Sequence, residues 1–139
     1  MTRATIVPDI TLVTDGGSLG NPGKGYGSYR IEDREGFSEI VRLEFPGVVT
    51  NNQAEYQTLN AALEAARLHA GNRGWELSRI CVRLRTDSQL LVNQVQGRWK
   101  VKHEGLRPLN ATALDLLRRF GSSDVAWWPR ANTVRVLGH

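Results

Sequence analysis

Three carboxylates in this sequence stand where chemistry and plain structure both have a use for them. Asp15 closes a β-rich run, Asp9-Ile-Thr-Leu-Val-Thr-Asp15, directly before a glycine-rich segment. Asp87 closes a second such run, 79–86, and opens a helical segment. Glu55 precedes Leu59, Leu63 and Ala66 at helical spacing, so it lies on the stripe of a helix that should face the core. Each has an ordinary structural use: Asp15 as a turn residue, Asp87 as an N-cap, and Glu55 as the far end of a capping box, Asn52-Gln-Ala-Glu55. Together they suggest more. Two strand-end carboxylates and one core-facing helix-end carboxylate can converge at one sheet edge, near the carboxyl ends of strands where ligands gather. Like charges packed there repel unless divalent cations neutralise them. An all-oxygen set favours Mg²⁺ or Mn²⁺ over zinc. Two such ions about 4 Å apart suit in-line displacement at phosphorus, one activating water and the other stabilising the departing oxygen.

The elements that must carry these groups follow from the pattern. Residues 9–15 read as a strand, and Gly16-Gly-Ser-Leu-Gly-Asn-Pro-Gly23 as a turn segment. Tyr26 to Glu32 and Phe37 to Phe45 read as two strands joined by Asp33-Arg-Glu-Gly36. After Pro46-Gly47 the period changes from two to 3.6, giving an amphipathic helix of about five turns that ends near Gly71. Residues 79–86 form a strand, Ser88 to Val95 a short helix, Leu106 to Phe120 a longer helix, and residues 124–128 a last strand. The order βββαβααβ predicts an α/β domain, an antiparallel hairpin extended by parallel strands with helices packed on the sheet.

Composition sets the frame. A chain of 139 residues with 40% hydrophobic and 23% charged residues fits one globular domain, residues 1–139. No apolar run approaches the ~18 residues of a membrane span. The segment Met1 to Pro8 is too short and polar for a secretory signal, and the single cysteine, Cys81, lies in a strand-like run as a small core residue. A cytoplasmic location is expected. The net charge of +4, from 18 Lys and Arg against 14 Asp and Glu, permits a polyanionic partner. Its distribution says more: Arg98, Lys100, Lys102, His103 and Arg107 crowd around Trp99, and Arg118, Arg119, Arg130 and Arg135 lie near the C-terminus.

Three segments resemble the core motifs of type 1 ribonucleases H, in that family's order: Asp15-Gly-Gly-Ser-Leu-Gly-Asn-Pro-Gly23, Thr50-Asn-Asn-Gln-Ala-Glu-Tyr56 and Asp87-Ser-Gln-Leu-Leu-Val-Asn-Gln-Val95. Gly97-Arg-Trp-Lys-Val-Lys102 and Leu106-Arg-Pro-Leu109 are similar to the compact bacterial and archaeal members, and the resemblance spans residues 9–132. It implies a ribonuclease H-like fold with a mixed five-stranded sheet flanked by helices. It also implies endonucleolytic cleavage of the RNA strand of RNA/DNA hybrids by a two-metal-ion mechanism, leaving 5′-phosphate and 3′-hydroxyl ends. The metal ligands it implies are Asp15, Glu55 and Asp87, with Mg²⁺ or Mn²⁺ bound as two ions beside substrate. Asn21, Asn51, Asn52 and Gln89 match positions that contact the hybrid around its minor groove. Amides suit that task, because a 2′-hydroxyl both donates and accepts. The same asparagines can also shape turns and caps.

The sequence departs from the family near its end. The usual fourth carboxylate, just inside a C-terminal helix, is missing from Trp128-Pro-Arg-Ala-Asn-Thr-Val-Arg-Val-Leu-Gly-His139, and Asp124 sits at the wrong end of its strand. Asn132 is the expected occupant, giving an Asp-Glu-Asp-Asn site with a weaker second metal and a leaning to Mn²⁺; an alternative alignment puts Val136 there. His69 and His103 are not placed for the mobile histidine of many relatives. Arg130 could meet the scissile phosphate or remain a surface arginine. The basic handle of some relatives is reduced to the 97–107 stretch, where Trp99, Lys100 and Lys102 could grip the DNA backbone, or the tryptophan could pack under a solvated lysine face. Of Trp127 and Trp128, one is expected in the core. The protein is expected to act as a monomer. Two other readings compete: a hybrid-binding module disabled by loss of the fourth carboxylate, and a DNA nuclease or integrase-like enzyme on the same fold.

Overall fold

The computed structural model describes residues 7–138; the N-terminal residues 1–6, part of the segment read above as no secretory signal, and His139 lie outside the described residues. The elements are β1 (Ile10–Leu19), β2 (Gly23–Asp33), β3 (Ser38–Val49), α1 (Asn51–Asn72), β4 (Cys81–Thr86), α2 (Gln89–Val95), α3 (Arg107–Arg118), β5 (Ser122–Trp127) and α4 (Arg130–Leu137), with a 3-10 turn at Leu77–Arg79. They form one five-stranded sheet in the order β3-β2-β1-β4-β5. β1, β2 and β3 run antiparallel in succession, while β4 pairs with β1 and β5 with β4 in parallel. This is the mixed sheet that the order of elements predicts.

Alternation along the strands decides which face is buried. Ile10 and Leu12 of β1, Tyr29 and Ile31 of β2, and Val82 and Leu84 of β4 meet Leu59, Ala62, Leu63 and Ala66 of α1. Leu116, Leu117 and Phe120, from α3 and its end, close the same core. Next along the inward row of β1 come Thr14 and Gly16, and there α1 lies directly on the strand: a Cβ at Gly16 would sit 2.6 Å from the Ala54 carbonyl oxygen. On β2, a Cβ at Gly27 would meet Thr58 Oγ1 at 1.9 Å. The glycine segment is therefore not a turn from its start. β1 runs through Gly16, Gly17 and Ser18 to Leu19; Gly16 leaves room for the helix, and Gly17 leaves room for the Tyr26 side chain.

Two other expectations are corrected. Residues 130–137 form α4, which the order of elements above omits. The helix has no side-chain cap at Pro129 and ends at Gly138 with φ 80°, so its start carries little capping signal. Neither tryptophan enters the core: Trp127 is 44% exposed and Trp128 half-buried, because β5 is an edge strand. Val125 packs against the core there instead. Cys81 is buried, as expected.

The end of the sheet where β1 begins is locked by a carboxylate. The Asp33 side chain has no solvent exposure. Its Oδ1 accepts from the N–H groups of Glu35 (2.8 Å) and Phe37 (3.1 Å), and its Oδ2 meets His69 Nε2 (2.7 Å) and Arg73 Nε (3.1 Å). Phe37 stacks on His69 with ring centroids 4.5 Å apart. Burial pushes the Asp33 carboxyl up, but the His69 bond, the two backbone N–H groups and Arg73 outweigh it and hold the group at about 2. The β2–β3 hairpin is thereby tied to the last turn of α1.

A depressed carboxylate contributes stability above its unfolded value, near 3.9, and loses it as pH falls through its folded value. Asp33→Asn is expected to lower the unfolding free energy by ~1–3 kcal/mol at pH 7, the range for charge-assisted bonds to a buried group. Urea unfolding of both proteins should show the gap closing between about pH 4 and pH 2. A gap that stays constant down to pH 2 would show that the Asp33 charge is not what holds this end.

Candidate active site

Each of the three carboxylates turns out to be released from its ordinary structural use. α1 is capped by Thr50, whose Oγ1 accepts from Gln53 N (3.1 Å) while Gln53 Oε1 accepts from Thr50 N (2.8 Å). The capping box is Thr50 with Gln53, not Asn52 with Glu55. Glu55, four residues further along the helix than Asn51, instead accepts the Gly16 N–H through Oε1 at 3.0 Å. Likewise Ser88 caps α2, accepting from Leu91 N at 3.2 Å, so Asp87 is not the cap. Asp15 lies within β1, in register with Ser28 of β2, rather than at a turn.

The three meet. Asp15, Glu55 and Asp87 each offer a carboxylate oxygen, and these oxygens lie within 4.8 Å of one another. Asp15 is 8% exposed and Glu55 7%. Burial above all holds the Glu55 carboxyl well above the usual carboxylate range; the Gly16 N–H opposes this, and the charges of Asp15 and Asp87 add to it. Glu55 Oε2 is buried and finds no hydrogen-bond donor among the described residues. A buried acceptor without a donor, among two more carboxylates, is what a hard divalent cation would complete. The residues present fit such an ion.

The fourth wall is α4, where Asn132 is the expected occupant. The α4 side chain that reaches the cluster is Thr133, whose Oγ1 lies 2.8 Å from Asp87 Oδ2. Asn132, about 100° away around the helix, has its Oδ1 facing Arg135 Nη2 at 3.4 Å. It is not among the residues that line the groove over the cluster. Val136, three residues after Thr133, shares the Thr133 face. Arg130 does line the groove, with Nη1 3.7 Å from Asp87 Oδ2. Trp127 Nε1 donates to the Asp87 carbonyl at 3.2 Å. Sequence reasoning marks neither Thr133 nor Trp127 as a site residue. Thr133 has no motif signature, and its role depends on the rotation of a helix whose start has no side-chain cap.

The remaining groups divide between two neighbouring depressions. Asn51 and Asn52 line the carboxylate groove with Gly17, Ser18, Tyr26 and Ser88. Asn51 Oδ1 accepts from Ser18 N (2.9 Å) and Oγ (3.0 Å), and Asn21 Oδ1 accepts from Asn51 N (3.0 Å). These amides thus hold the end of β1 and the loop after it against the start of α1. Next to it, a second depression is lined by Asn21, Thr50, Asn52, Gln94, Lys100, Lys102 and His103. Trp99 is 47% exposed and, with Arg98, Lys100 and Lys102, borders a further hollow; it is no core residue. Gln89 stands at the first position of α2 and lines none of the three. His69 is committed to Asp33, roughly 16 Å along β1 from Asp15 at the usual rise per residue.

Comparison with known proteins gives a consistent picture. The family model described as RNase H matches residues 8–120. A ribonuclease HI of Halobacterium salinarum is 36% identical over 137 residues, covering 96% of this chain and 65% of that protein. A bifunctional protein of Mycobacterium tuberculosis is 36% identical over 124 residues, covering 88% of this chain but only 32% of its own length. The chain thus spans about a third of the mycobacterial relative and under two thirds of the halobacterial one. Among solved structures, the H. salinarum RNase H1 superposes with a TM-score of 0.77 at 34% identity, covering 91% of this chain and 89% of that one. LC11-RNase H1 in complex with an RNA/DNA hybrid superposes at 0.79 with 31% identity, again covering 91% and 89%.

Three carboxylates with oxygens within 4.8 Å of one another repel in the absence of a cation, and removing one carboxylate relieves this. Glu55→Gln is therefore expected to leave the Tm in EDTA unchanged or higher, and to abolish the rise in Tm that millimolar Mn²⁺ gives the wild type. Because the raised Glu55 group must lose its proton to bind a cation, the wild-type rise should grow as pH increases above the usual carboxylate range. A Mn²⁺ effect that persists in Glu55→Gln, or that does not vary with pH, would count against a cation at this cluster.

Proposed function

This chain belongs to the RNase H family, and from that premise we propose that it is an endoribonuclease that cuts the RNA strand of RNA/DNA hybrids at the Asp15, Glu55 and Asp87 cluster. The single observation that carries the reading is the convergence of three carboxylates, one of which, Glu55, keeps a buried and unsatisfied oxygen. The fold and the hybrid-bound relative support the substrate class. Two divalent ions bound there, Mg²⁺ or Mn²⁺, would supply an activated water and stabilise the departing 3′ oxygen, leaving 5′-phosphate and 3′-hydroxyl ends.

The chain's own residues do the rest. Asp15, Glu55 and Asp87 would hold the ions by their carboxylate oxygens, and the Gly16 N–H on Glu55 Oε1 leaves Oε2 for that task. Asn51 and Asn52 present amide donors along the groove floor, where the 2′-hydroxyls that distinguish RNA from DNA would pass. Asn21, with Thr50 and Asn52, faces the second depression, where Lys100 and Lys102 stand ready for phosphates of the other strand. Trp99 offers an exposed aromatic face beside those lysines. Gln89 stands at the near end of α2 as an outer contact. Arg130, 73% exposed in its side chain, can swing between Asp87 and a phosphate near the cut. We take residues 1–139 to act as one domain, as a monomer, in the cytoplasm.

The test is cleavage of an end-labelled RNA/DNA hybrid in Mg²⁺ and in Mn²⁺. Cuts confined to the RNA strand, abolished by EDTA and reduced at least ~100-fold in Asp15→Asn, are expected from removal of one ligand of the ion site. Lys100→Ala with Lys102→Ala should weaken hybrid binding and lower the salt slope by ~1 for each phosphate left without its lysine, with little change in kcat. Hybrid binding without strand scission would instead make this a binding module. Cutting of single-stranded DNA but not of hybrid would make it a DNA nuclease on the same fold.

A further inference from the structure

The α4 wall of the cluster presents a hydroxyl, and its placement has a use that burial alone does not require. Thr133 is 1% exposed, and its Oγ1 lies 2.8 Å from Asp87 Oδ2 and 2.9 Å from the Arg130 carbonyl oxygen. A hydroxyl has one hydrogen to donate, so only one of these acceptors takes it at a time. A threonine within a helix is ordinarily satisfied by the carbonyl one turn back. Here a side-chain carboxyl oxygen from outside the helix competes for the hydrogen, at the shorter of the two distances. We propose that Thr133 is a positioning residue: its hydroxyl donates to Asp87 Oδ2 and fixes the plane of that carboxylate, so that Oδ1 is kept for a divalent cation shared with Asp15 and Glu55.

Three side chains converge on this one aspartate. Thr133 and Arg130 both address Oδ2, at 2.8 and 3.7 Å. Trp127 Nε1 holds the Asp87 main-chain carbonyl at 3.2 Å. Asp87 is the cluster member with the most freedom to misplace, because it stands between the end of β4 and the Ser88 cap of α2 rather than inside an element. Glu55 has a backbone N–H to orient it, and Asp15 has the strand. Thr133 supplies to Asp87 an equivalent restraint, from a helix that brings no carboxylate of its own. In this way α4 contributes to cation binding through geometry rather than charge. This inference rests on the reading of the cluster as a divalent cation site.

The experiment is a calorimetric titration of the free protein with Mn²⁺, for wild type, Thr133→Val and Thr133→Ser, with thermal unfolding in EDTA as the control for folding. Valine keeps the shape and loses the hydroxyl; serine keeps the hydroxyl and loses the methyl. Thr133→Val should weaken Mn²⁺ binding ~10-fold or more, the usual effect of removing a partner that orients a metal ligand. Thr133→Ser should stay within about threefold of wild type even if its Tm is the lower of the two. In hybrid cleavage, the Mn²⁺ concentration for half-maximal rate should shift in Thr133→Val while KM for the hybrid does not. Equal Mn²⁺ affinity in wild type and Thr133→Val would overturn the proposal. So would a Thr133→Ser variant as weak as Thr133→Val, since that traces the loss to packing. If wild type cuts hybrid with Mn²⁺ and the variants match it, only this inference falls. If wild type binds no Mn²⁺ at all, the cation reading falls with it.

Discussion

The seat of α1 on β1 is the constraint on which the rest of the molecule depends. The Gly16 N–H donates to Glu55 Oε1, and the Gly16 Cα lies so near the Ala54 carbonyl that no side chain fits. One hydrogen bond and one missing Cβ therefore set the height, rotation and axial position of a 22-residue helix over the sheet. From that seat follow the burial of Leu59, Leu63 and Ala66, and the projection of Glu55 between two strands. The second contact of this kind, Gly27 against Thr58, fixes the helix against β2 one turn later. Two contacts at different points along an axis define its direction. The parallel pairing of β4 with β1 then brings Asp87 level with Asp15, since Thr14 and Thr86 are partners in register.

Much of this is readable in the sequence, for identifiable reasons. Strand and helix periods fixed by side-chain alternation survive into the structure, because the core they bury is the largest energetic term. The three carboxylates can be picked out because the sequence pattern puts each beside an element boundary, where a turn or capping use is permitted but not required. Sequence does not choose between Thr50 and Asn52 as the start of α1, since both are good caps and both have a long polar residue three positions on. That choice shifts the helix by two residues and decides whether Glu55 is a cap or a site residue. Asn132 and Thr133 present the same problem in another form. A step of one residue on a helix is a rotation of about 100°, and α4 lacks the cap and the long apolar stripe from which its phase could be read. The strand through Gly16 and Gly17 stays hidden because glycine usually signals a turn; here its value is the absence of a side chain.

The face of the sheet opposite α1 shows how a helix as short as α4 suffices to complete the site. Beyond the patch under Leu137, the outward positions of β4 and β5 carry Arg83, Arg85 and Asp124, joined at 3.0–3.2 Å. Arg30 and Glu32 pair on β2 at 2.9 Å. Such pairs add little stability at a surface, but they remove the need for an apolar cover. α4 is then free to do two local things: bury Leu137, whose carbonyl accepts from Arg42 at 3.0 Å, and place Thr133 and Arg130 at Asp87.

Asp33 and Glu55 together make the strongest physical argument that the cluster is a site rather than an accident of packing. Both are buried carboxylates at opposite ends of α1, in one fold, under one sheet. Around Asp33 the structure supplies two backbone N–H groups, an imidazole and a guanidinium, and the group is held at about 2. Around Glu55 it supplies one backbone N–H and two more carboxylates, and the group is pushed well above its usual range. The chain can evidently compensate a buried carboxylate where stability is the only concern. Leaving one uncompensated costs free energy that folding must recover elsewhere, and strongly perturbed groups in a groove are where function concentrates. The same chain carries 18 Lys and Arg, yet the cation that stands at the cluster among the described residues, Arg130, keeps off at 3.7 Å on a largely exposed side chain. A charge deficit kept open at that spot, with amides and lysines ranged beside it, suits a ligand that brings positive charge of its own and a polyanion to be held against it.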